Sequence, residues 1–352
     1  MSRPLRWGIL STARIGTDKV IPALQQADGC AVVALASRDG ERAAAAAAAL
    51  GIPRAHGSYA ALLADPDVDA IYNPLPNHLH VPLSVEALEA GKHVLCEKPL
   101  ARSVEEAQVL VAAAEERPHL RCMEAFMYRF HPQWRRVRAL LDGGAIGRLV
   151  HIHTVFSYFN DDPDDIRNQS DLGGGGLLDI GCYPISLSRH VIQREPLRAS
   201  AQVTLHPEHG VDTLASAILD FGGVTASFTC STRMAHHQEV SLHGERGRIV
   251  LERPFNPPLD QPCRLWHQRD DGAPRPIELD PVNQYRLQGE AFARAVFEGS
   301  AVPTPLADGV ANLRVIEAIH RAAADGTWAR IEPGPELRDA PDESRGPRGD
   351  LG

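Results

Sequence analysis

Long hydrophobic runs are missing from this sequence: no apolar stretch approaches the roughly 18 residues that a membrane-spanning helix needs. The N-terminus also lacks the apolar stretch and small-residue cleavage site of a secretory signal, so a cytoplasmic location is expected. Excess positive charge is absent. Lys and Arg number 36 against 45 Asp and Glu, a formal net charge of −9. Nucleic acids and anionic membranes select basic surfaces, so neither is an expected partner. Cysteine is sparse: the six are scattered, with no CxxC pair, and read as small reduced hydrophobes, not as staples. No internal repeat is visible.

What is present is ordinary for a globular protein. Hydrophobic residues make up 43% and charged residues 23% of 352, a length that suggests about two domains. Strand-like runs at 5–10, 31–36, 70–73, 93–96 and 120–125 alternate with helical patterns at 15–26, 41–50, 80–90 and 104–117. That alternation predicts βαβ units and a parallel sheet covered by helices on both faces. Beyond about residue 125 the pattern changes. Helices at 131–142 and 177–191 accompany alternating runs at 149–159, 200–206, 213–219, 225–232, 239–243 and 248–251, several joined by glycine-rich turns. Hairpin chemistry of this kind predicts a largely antiparallel sheet. Helices at 284–297 and 309–324 follow, and 334–352 is a Pro-, Gly- and charge-rich segment that reads as a disordered tail.

The first strand–helix junction reads Gly8-Ile-Leu-Ser11-Thr12-Ala13-Arg14-Ile15-Gly16. A dinucleotide fold places a tight turn here, with helix N-terminal amides facing a pyrophosphate. Ser11 and Ala13 stand where the usual GxGxxG has glycines. At the end of the second strand come Ser37 and Arg38, where a cofactor with a free ribose 2′-hydroxyl is usually met by an acid. A hydroxyl and a guanidinium suit a 2′-phosphate, which favours NADP over NAD.

Longer motifs sharpen the reading: residues 69–80 (DAIYNPLPNHLH), 90–100 (AGKHVLCEKPL), 124–132 (EAFMYRFHP) and 173–184 (GGGGLLDIGCYP). On these, the chain from about 5 to 330 resembles the glucose-fructose oxidoreductase/inositol dehydrogenase (Gfo/Idh/MocA) family. It is most similar to the branch holding NADP-dependent D-xylose dehydrogenases, dihydrodiol dehydrogenase and glucose-fructose oxidoreductase. The resemblance implies an α/β protein: an N-terminal Rossmann domain (1–124) and a C-terminal α+β domain (125–333) with a large, mostly antiparallel open sheet. The second domain would bind substrate and form subunit contacts through the sheet's free face, read as apolar, in a homodimer or homotetramer.

The resemblance also assigns roles. Lys98 would face the reacting oxygen from the cleft, turned inward by a cis Lys98–Pro99 bond, and would lower the pKa of a neighbouring phenol. Tyr183 would be the acid/base and Asp179 would orient the substrate hydroxyl; at i, i+4 the two share a face of a helix. The strand-end residues Leu75, Pro76, Asn77 and His80, with Glu97, are expected beside the nicotinamide half of the cofactor. Arg129, Arg167, Asn168 and Tyr285 are expected on the substrate side, while Asp161, Asp162, Asp164 and Asp165 read as a solvated loop. Two HxH pairs, at His78/His80 and His151/His153, lack a third ligand motif, so no metal is expected. The expected activity is NADP-dependent hydride transfer on a sugar or polyol. Two alternatives stay open: an aldose–aldose oxidoreductase or NAD-using glycosidase with tightly held cofactor, and an NADP sensor without turnover.

Overall fold

The computed structural model describes residues 3–332 and Gly334, so the tail expected at 334–352 lies, but for Gly334, outside the described residues. Six strands form the first sheet: β1 (Leu5–Leu10), β2 (Cys30–Ala36), β3 (Arg54–His56), β4 (Ala70–Asn73), β5 (His93–Cys96) and β6 (Cys122–Glu124). Their order is β3-β2-β1-β4-β5-β6, all parallel, the doubly wound arrangement whose switch point lies between β1 and β4. The crossovers carry α1 (Ile21–Gln25), α2 (Gly40–Leu50), α3 (Tyr59–Leu63), α4 (His80–Glu89) and α5 (Val104–Glu115). The alanine-rich α2 starts sharply because the Asp39 carboxylate accepts from the Glu41 and Arg42 amides, and it stops at Gly51 in the left-handed region (φ 65°).

After α6 (Pro132–Asp142), the chain builds a second sheet. Its strands are β7 (Leu149–Phe159), β8 (Arg198–Leu205), β9 (Asp212–Asp220), β10 (Thr225–Ser231), β11 (Arg233–Gly244), β12 (Gly247–Leu251), β13 (Cys263–Arg269), β14 (Arg275–Leu279) and β15 (Ala329–Arg330), with α7 (Cys182–Ile192) between β7 and β8. Among the described residues it has nine strands, ordered β14-β13-β12-β11-β7-β10-β9-β8-β15. The pairing is antiparallel except where β10 runs beside β7. The sequence pattern misses β3, β13 and β14, because Arg54-Ala-His56 is too short to alternate and Cys263–Arg269 carries polar residues on both faces.

Two further helices, α8 (Gln284–Glu298) and α9 (Leu306–Asp325), return to the first sheet. Phe292 of α8 meets Trp7 of β1 with ring centroids 5.2 Å apart, and both are fully buried. The C-terminal helices therefore lock the two sheets into one core.

The free face of the second sheet differs from the apolar surface expected. Alternation sends Ile152, Ala226, Phe228 and Leu242 inward, leaving His151, His153, Thr225, Ser227 and His243 outward. His151 hydrogen-bonds Thr225 (2.8 Å) and Ser227 (3.0 Å), and His153 also reaches Ser227 (2.9 Å). Oligomeric state thus gains no support from that patterning.

Gly8 sits where three side chains converge. A Cβ there would lie 2.9 Å from Val68 Cγ1, 3.1 Å from Leu62 and 3.2 Å from Ile71. Gly8→Ala is accordingly expected to destabilise the fold by about 1–3 kcal/mol, the usual range for overpacking, read as a lowered chemical-denaturation midpoint. A midpoint equal to wild type would show that β1 and α3 pack more loosely than drawn.

Candidate active site

At the carboxyl ends of the parallel strands the two sheets enclose a cleft of about 840 Å³. Its first wall is the β1–α1 turn. Ser11 adopts φ 74°, the left-handed region that glycine normally fills, and its Oγ accepts the Ala13 amide at 3.2 Å. This side-chain bond lets serine stand in the glycine position. Ala13, Arg14 and Ile15 line the cleft, while Ser11 and Thr12 shape the turn behind them. Helix winding then begins with a π turn, Gly16–Val20, before α1.

The β4 end supplies the second wall. Buried Asn73 donates to the His80 carbonyl (3.1 Å) and Ser84 hydroxyl (3.1 Å), fixing the loop that carries Leu75, Pro76 and Asn77. Leu75, Asn77 and His80 line the cleft, with Pro76 capping the short turn that follows. Asn77 donates across to the Gly173 carbonyl at 2.8 Å. Here the glycine run is needed. Gly175 has φ 118°, and a Cβ on it would sit 2.3 Å from Asp212 Oδ1. Asp212 in turn accepts the Leu177 amide at 2.6 Å and anchors the next segment.

That segment, Leu177–Gly181, is a π turn leading into α7, so Asp179 and Tyr183 do not share one α-helix as the spacing suggests. Both nevertheless line the cleft. From the first sheet, Lys98 follows β5, with its Lys98–Pro99 bond cis. Its Nζ donates to the Asp179 carbonyl (2.6 Å) and Oδ1 (3.2 Å). Oδ2 of the same carboxylate accepts from Arg167 Nε (3.1 Å) and Tyr158 OH (2.5 Å). Burial pushes the Asp179 carboxyl up, but the Lys98 and Arg167 charges and the Tyr158 hydrogen bond outweigh it and hold it far below the usual carboxylate range. Burial likewise opposes the Lys98 ammonium, yet Asp179 raises it overall, so Lys98 stays charged at neutral pH.

Tyr183 is 5% exposed and sits among Phe126, Tyr128, Phe156 and Phe255, with its hydroxyl 3.6 Å from Met127 Sδ. Burial, then the neighbouring Tyr285, Cys182, Glu97 and Asp179, push its phenol well above 10. The expected lowering by Lys98 is not what this geometry gives. The ammonium stands 5.0 Å from the ring centroid, not at the hydroxyl, because two of its three donors are turned to Asp179.

The remaining expectations divide. Glu97 lines the cleft, accepts from Tyr72 OH at 2.7 Å and lies close to Lys98; burial raises its pKa. Tyr285, in the first turn of α8, also lines the cleft. Arg129 does not. It turns away to Ser186 on α7 (2.8 Å) and to Asp308 on α9 (2.8 Å). Asn168 is buried beneath its loop, donating to the Asp162 carbonyl at 2.7 Å. Asp162 and Asp165, read as solvated loop, are on the cleft rim. Two residues escaped the sequence reading. Tyr158 shares a face of β7 with Phe156, an i, i+2 signal that was legible. Arg42 joins Arg38 beside Tyr59, where both work against burial on its phenol.

The 2′-phosphate question is answerable from the donor set. Ser37 ends β2 with its Oγ accepting the Asp39 amide at 3.2 Å. Asp39 spends its carboxylate capping α2, which leaves Arg38 and Arg42 as the charged groups there. These residues fit a phosphate better than a ribose hydroxyl.

The match to known proteins follows the same lines. An oxidoreductase-family NAD-binding Rossmann fold matches residues 5–126, and a GFO/IDH/MocA C-terminal domain matches 134–250. The chain belongs to the Gfo/Idh/MocA oxidoreductase family. Gfo/Idh/MocA relatives include an uncharacterised oxidoreductase of Rhizobium meliloti, 44% identical over 93% of this chain and 99% of that one. A D-xylose 1-dehydrogenase (NADP+) of Haloferax volcanii is 39% identical over 93% of this chain and 100% of the relative. Among solved structures, a 3-ketoreductase from Actinomadura kijaniata in complex with NADP and TDP-benzene superposes with a TM-score of 0.86. It is 34% identical, over 91% of this chain and 98% of that one.

Because the folded Asp179 pKa lies below the unfolded value of ~3.9, its stabilising contribution is present above that value and lost only as pH falls through the folded one. The ¹³C-carboxyl resonance of Asp179 is therefore expected to stay flat from pH 7 down to 4. A titration midpoint within that window would contradict the ion cluster.

Proposed function

We propose that the protein is an NADP-dependent oxidoreductase that transfers hydride between the nicotinamide and a carbinol or carbonyl of a free sugar or polyol, in the manner of an aldose 1-dehydrogenase. The single observation that carries this reading is the convergence of Lys98, Asp179 and Tyr183 on one cleft from two sheets. Ala13, Arg14, Ile15, Leu75, Asn77, His80 and Glu97 would border the cofactor, with Ser37, Arg38 and Arg42 at its 2′-phosphate. When bound, NADP supplies the ring carbon that gives or takes hydride.

The protein's own groups divide the rest of the work. Lys98, held charged, donates to the reacting oxygen and stabilises negative charge that builds on it. Tyr183, whose phenol stays protonated, is suited to hand a proton to that oxygen during reduction, which leaves a phenolate; in oxidation the same group takes the carbinol proton only from that phenolate form. Asp179, always ionised, accepts a substrate hydroxyl and fixes its orientation. Tyr158 and Arg167 hold the carboxylate still.

The charge on the rim favours an uncharged substrate over a nucleotide-linked sugar. Arg167 is paired to Asp179 and Asp165, and Lys98 to Asp179. Asp162 and Asp165 face the same space, so beside Lys98 and Arg167 a diphosphate would meet carboxylates and cations that are already paired.

Three outcomes are expected. Tyr183→Phe lowers turnover at least tenfold while NADPH binding, followed by fluorescence, persists; unchanged turnover removes Tyr183 from the mechanism. Replacing Arg38 and Arg42 with Ala weakens NADPH at least tenfold and NADH less than threefold, since each guanidinium–phosphate bond contributes about 1.5–3 kcal/mol. In a panel of free aldoses, polyols and nucleotide-diphosphate sugars, kcat/KM is highest for a free sugar or polyol; preference for a nucleotide-linked sugar would refute the rim argument.

A further inference from the structure

Two buried ionisable side chains that the chemistry above leaves without a proton-transfer role grip the turn carrying Lys98. From one side, the His80 ring nitrogens lie 2.7 Å from the carbonyl oxygens of Pro99 and Leu75. From the other, Glu124 Oε1 accepts the Leu100 amide at 2.7 Å. Glu124 ends β6, is 1% exposed, and is bonded through its own backbone to Thr304. We propose that Glu124 is a positioning residue: in its neutral form it holds the Leu100 amide and so aims Lys98 at Asp179, and on ionising, its enclosed Oε2 has to be opened to water, which displaces that turn.

The surroundings make the neutral form the natural one. Oε2 is buried without a hydrogen-bond partner among the described residues. It packs on Gly309, where a Cβ would come within 2.8 Å, so no water-sized space adjoins it on that side. The groups facing Glu124 come from several elements: Asp308 on α9, Arg129 on the 3₁₀ turn after β6, Arg189 and Cys182 on α7, and Cys96 on β5. Both arginines are already committed, Arg129 to Asp308 at 2.8 Å and Arg189 to Asp308 at 3.2 Å and Glu195 at 2.6 Å. A carboxylate at Glu124 would therefore be enclosed, beside Asp308, with no unspent cation.

Burial, followed by Asp308, raises the Glu124 carboxyl to about 8, against the Leu100 amide and the two arginines. An acid with a folded pKa above its unfolded value of ~4.3 stabilises the fold fully below that value and loses the contribution as pH rises to about 8. Ionisation turns a tolerated neutral acceptor into a buried charge that the site must open to hydrate. The Leu100 amide is two residues from Lys98, so the opening reaches the ammonium directly.

This proposal rests on Lys98 acting in the cleft, and its test separates the two. In the full-length protein labelled with ¹⁵N-leucine, the Leu100 amide resonance is expected to titrate with a midpoint near pH 8. Glu124→Gln keeps an acceptor for Leu100 and a donor toward Asp308, and cannot ionise, so that titration should vanish. In steady-state assays Glu124→Ala should lower kcat at least tenfold with sugar KM changed less than threefold. Glu124→Gln should restore most of the loss at pH 7 and shift the alkaline limb upward by at least one pH unit. A Leu100 resonance that is flat from pH 6 to 10 in the wild type, or a Glu124→Gln protein that keeps the same midpoint and the same alkaline limb, overturns the proposal. If Glu124→Ala does not fold, the Gln variant and the resonance decide. If no sugar is turned over, the activity reading fails, while the resonance still reports on Glu124.

Discussion

A single carboxylate holds the working parts of this protein in register. Asp179 is reached by Lys98 from the first sheet, by Tyr158 from the second, and by Arg167 from the loop that follows β7. Each ion in such a place carries a desolvation penalty of several kcal/mol, and only close pairing of opposite charges offsets it. The arrangement is therefore all or nothing. With two cations and a phenol the carboxylate stays ionised, and it tethers the lysine to one position. Remove the carboxylate and Lys98 is left enclosed without its counter-ion. The same feature that positions the ammonium also ties the two sheets together at the cleft.

Backbone devices of small residues make that convergence possible. The glycine run lets Asp212 approach within bonding distance of the Leu177 amide, and the π turn that follows brings Asp179 toward Lys98 while Tyr183 remains in the aromatic cluster behind it. A regular α-helix would have placed both side chains in one row. The local winding allows them different environments, one ionic, the other apolar. That separation is why one group stays deprotonated and the other protonated at the same pH.

Much of this was legible in the sequence, and the misses have physical causes. The βαβ rhythm, the antiparallel second sheet and the cleft positions of Lys98, Asp179, Tyr183, Glu97, Asn77 and Tyr285 could be read from periodicity and motif resemblance, since those depend on local spacing. Arg129 could not be placed that way. Its motif position is unremarkable for a cleft residue, but its direction is set by α9, more than 170 residues later in the chain. Tyr158 differs: its strand and its i, i+2 relation to Phe156 are legible, but that this face meets Asp179 is set by the glycine run and π turn later in the chain. The outward face of the second sheet is mixed instead of apolar: His153 and Ser227 stand in one row with Ile218, Val250 and Trp266, and alternation within single runs does not reveal what the neighbouring strands add to that row.

The two buried carboxyls near Lys98 show how allocation of cations, more than burial, decides protonation in this fold. Asp179 and Glu124 are both shielded from water, and burial pushes both upward. At Asp179 two cations have no better partner, and the charge is retained. At Glu124 the nearby Arg129 and Arg189 are held by Asp308, which also repels a second negative charge. One carboxyl therefore serves as a fixed anion and the other as a neutral acceptor, a few residues from the same lysine. Asp308 is the hinge of this division: by drawing both guanidinium groups to α9 it leaves Glu124 uncharged.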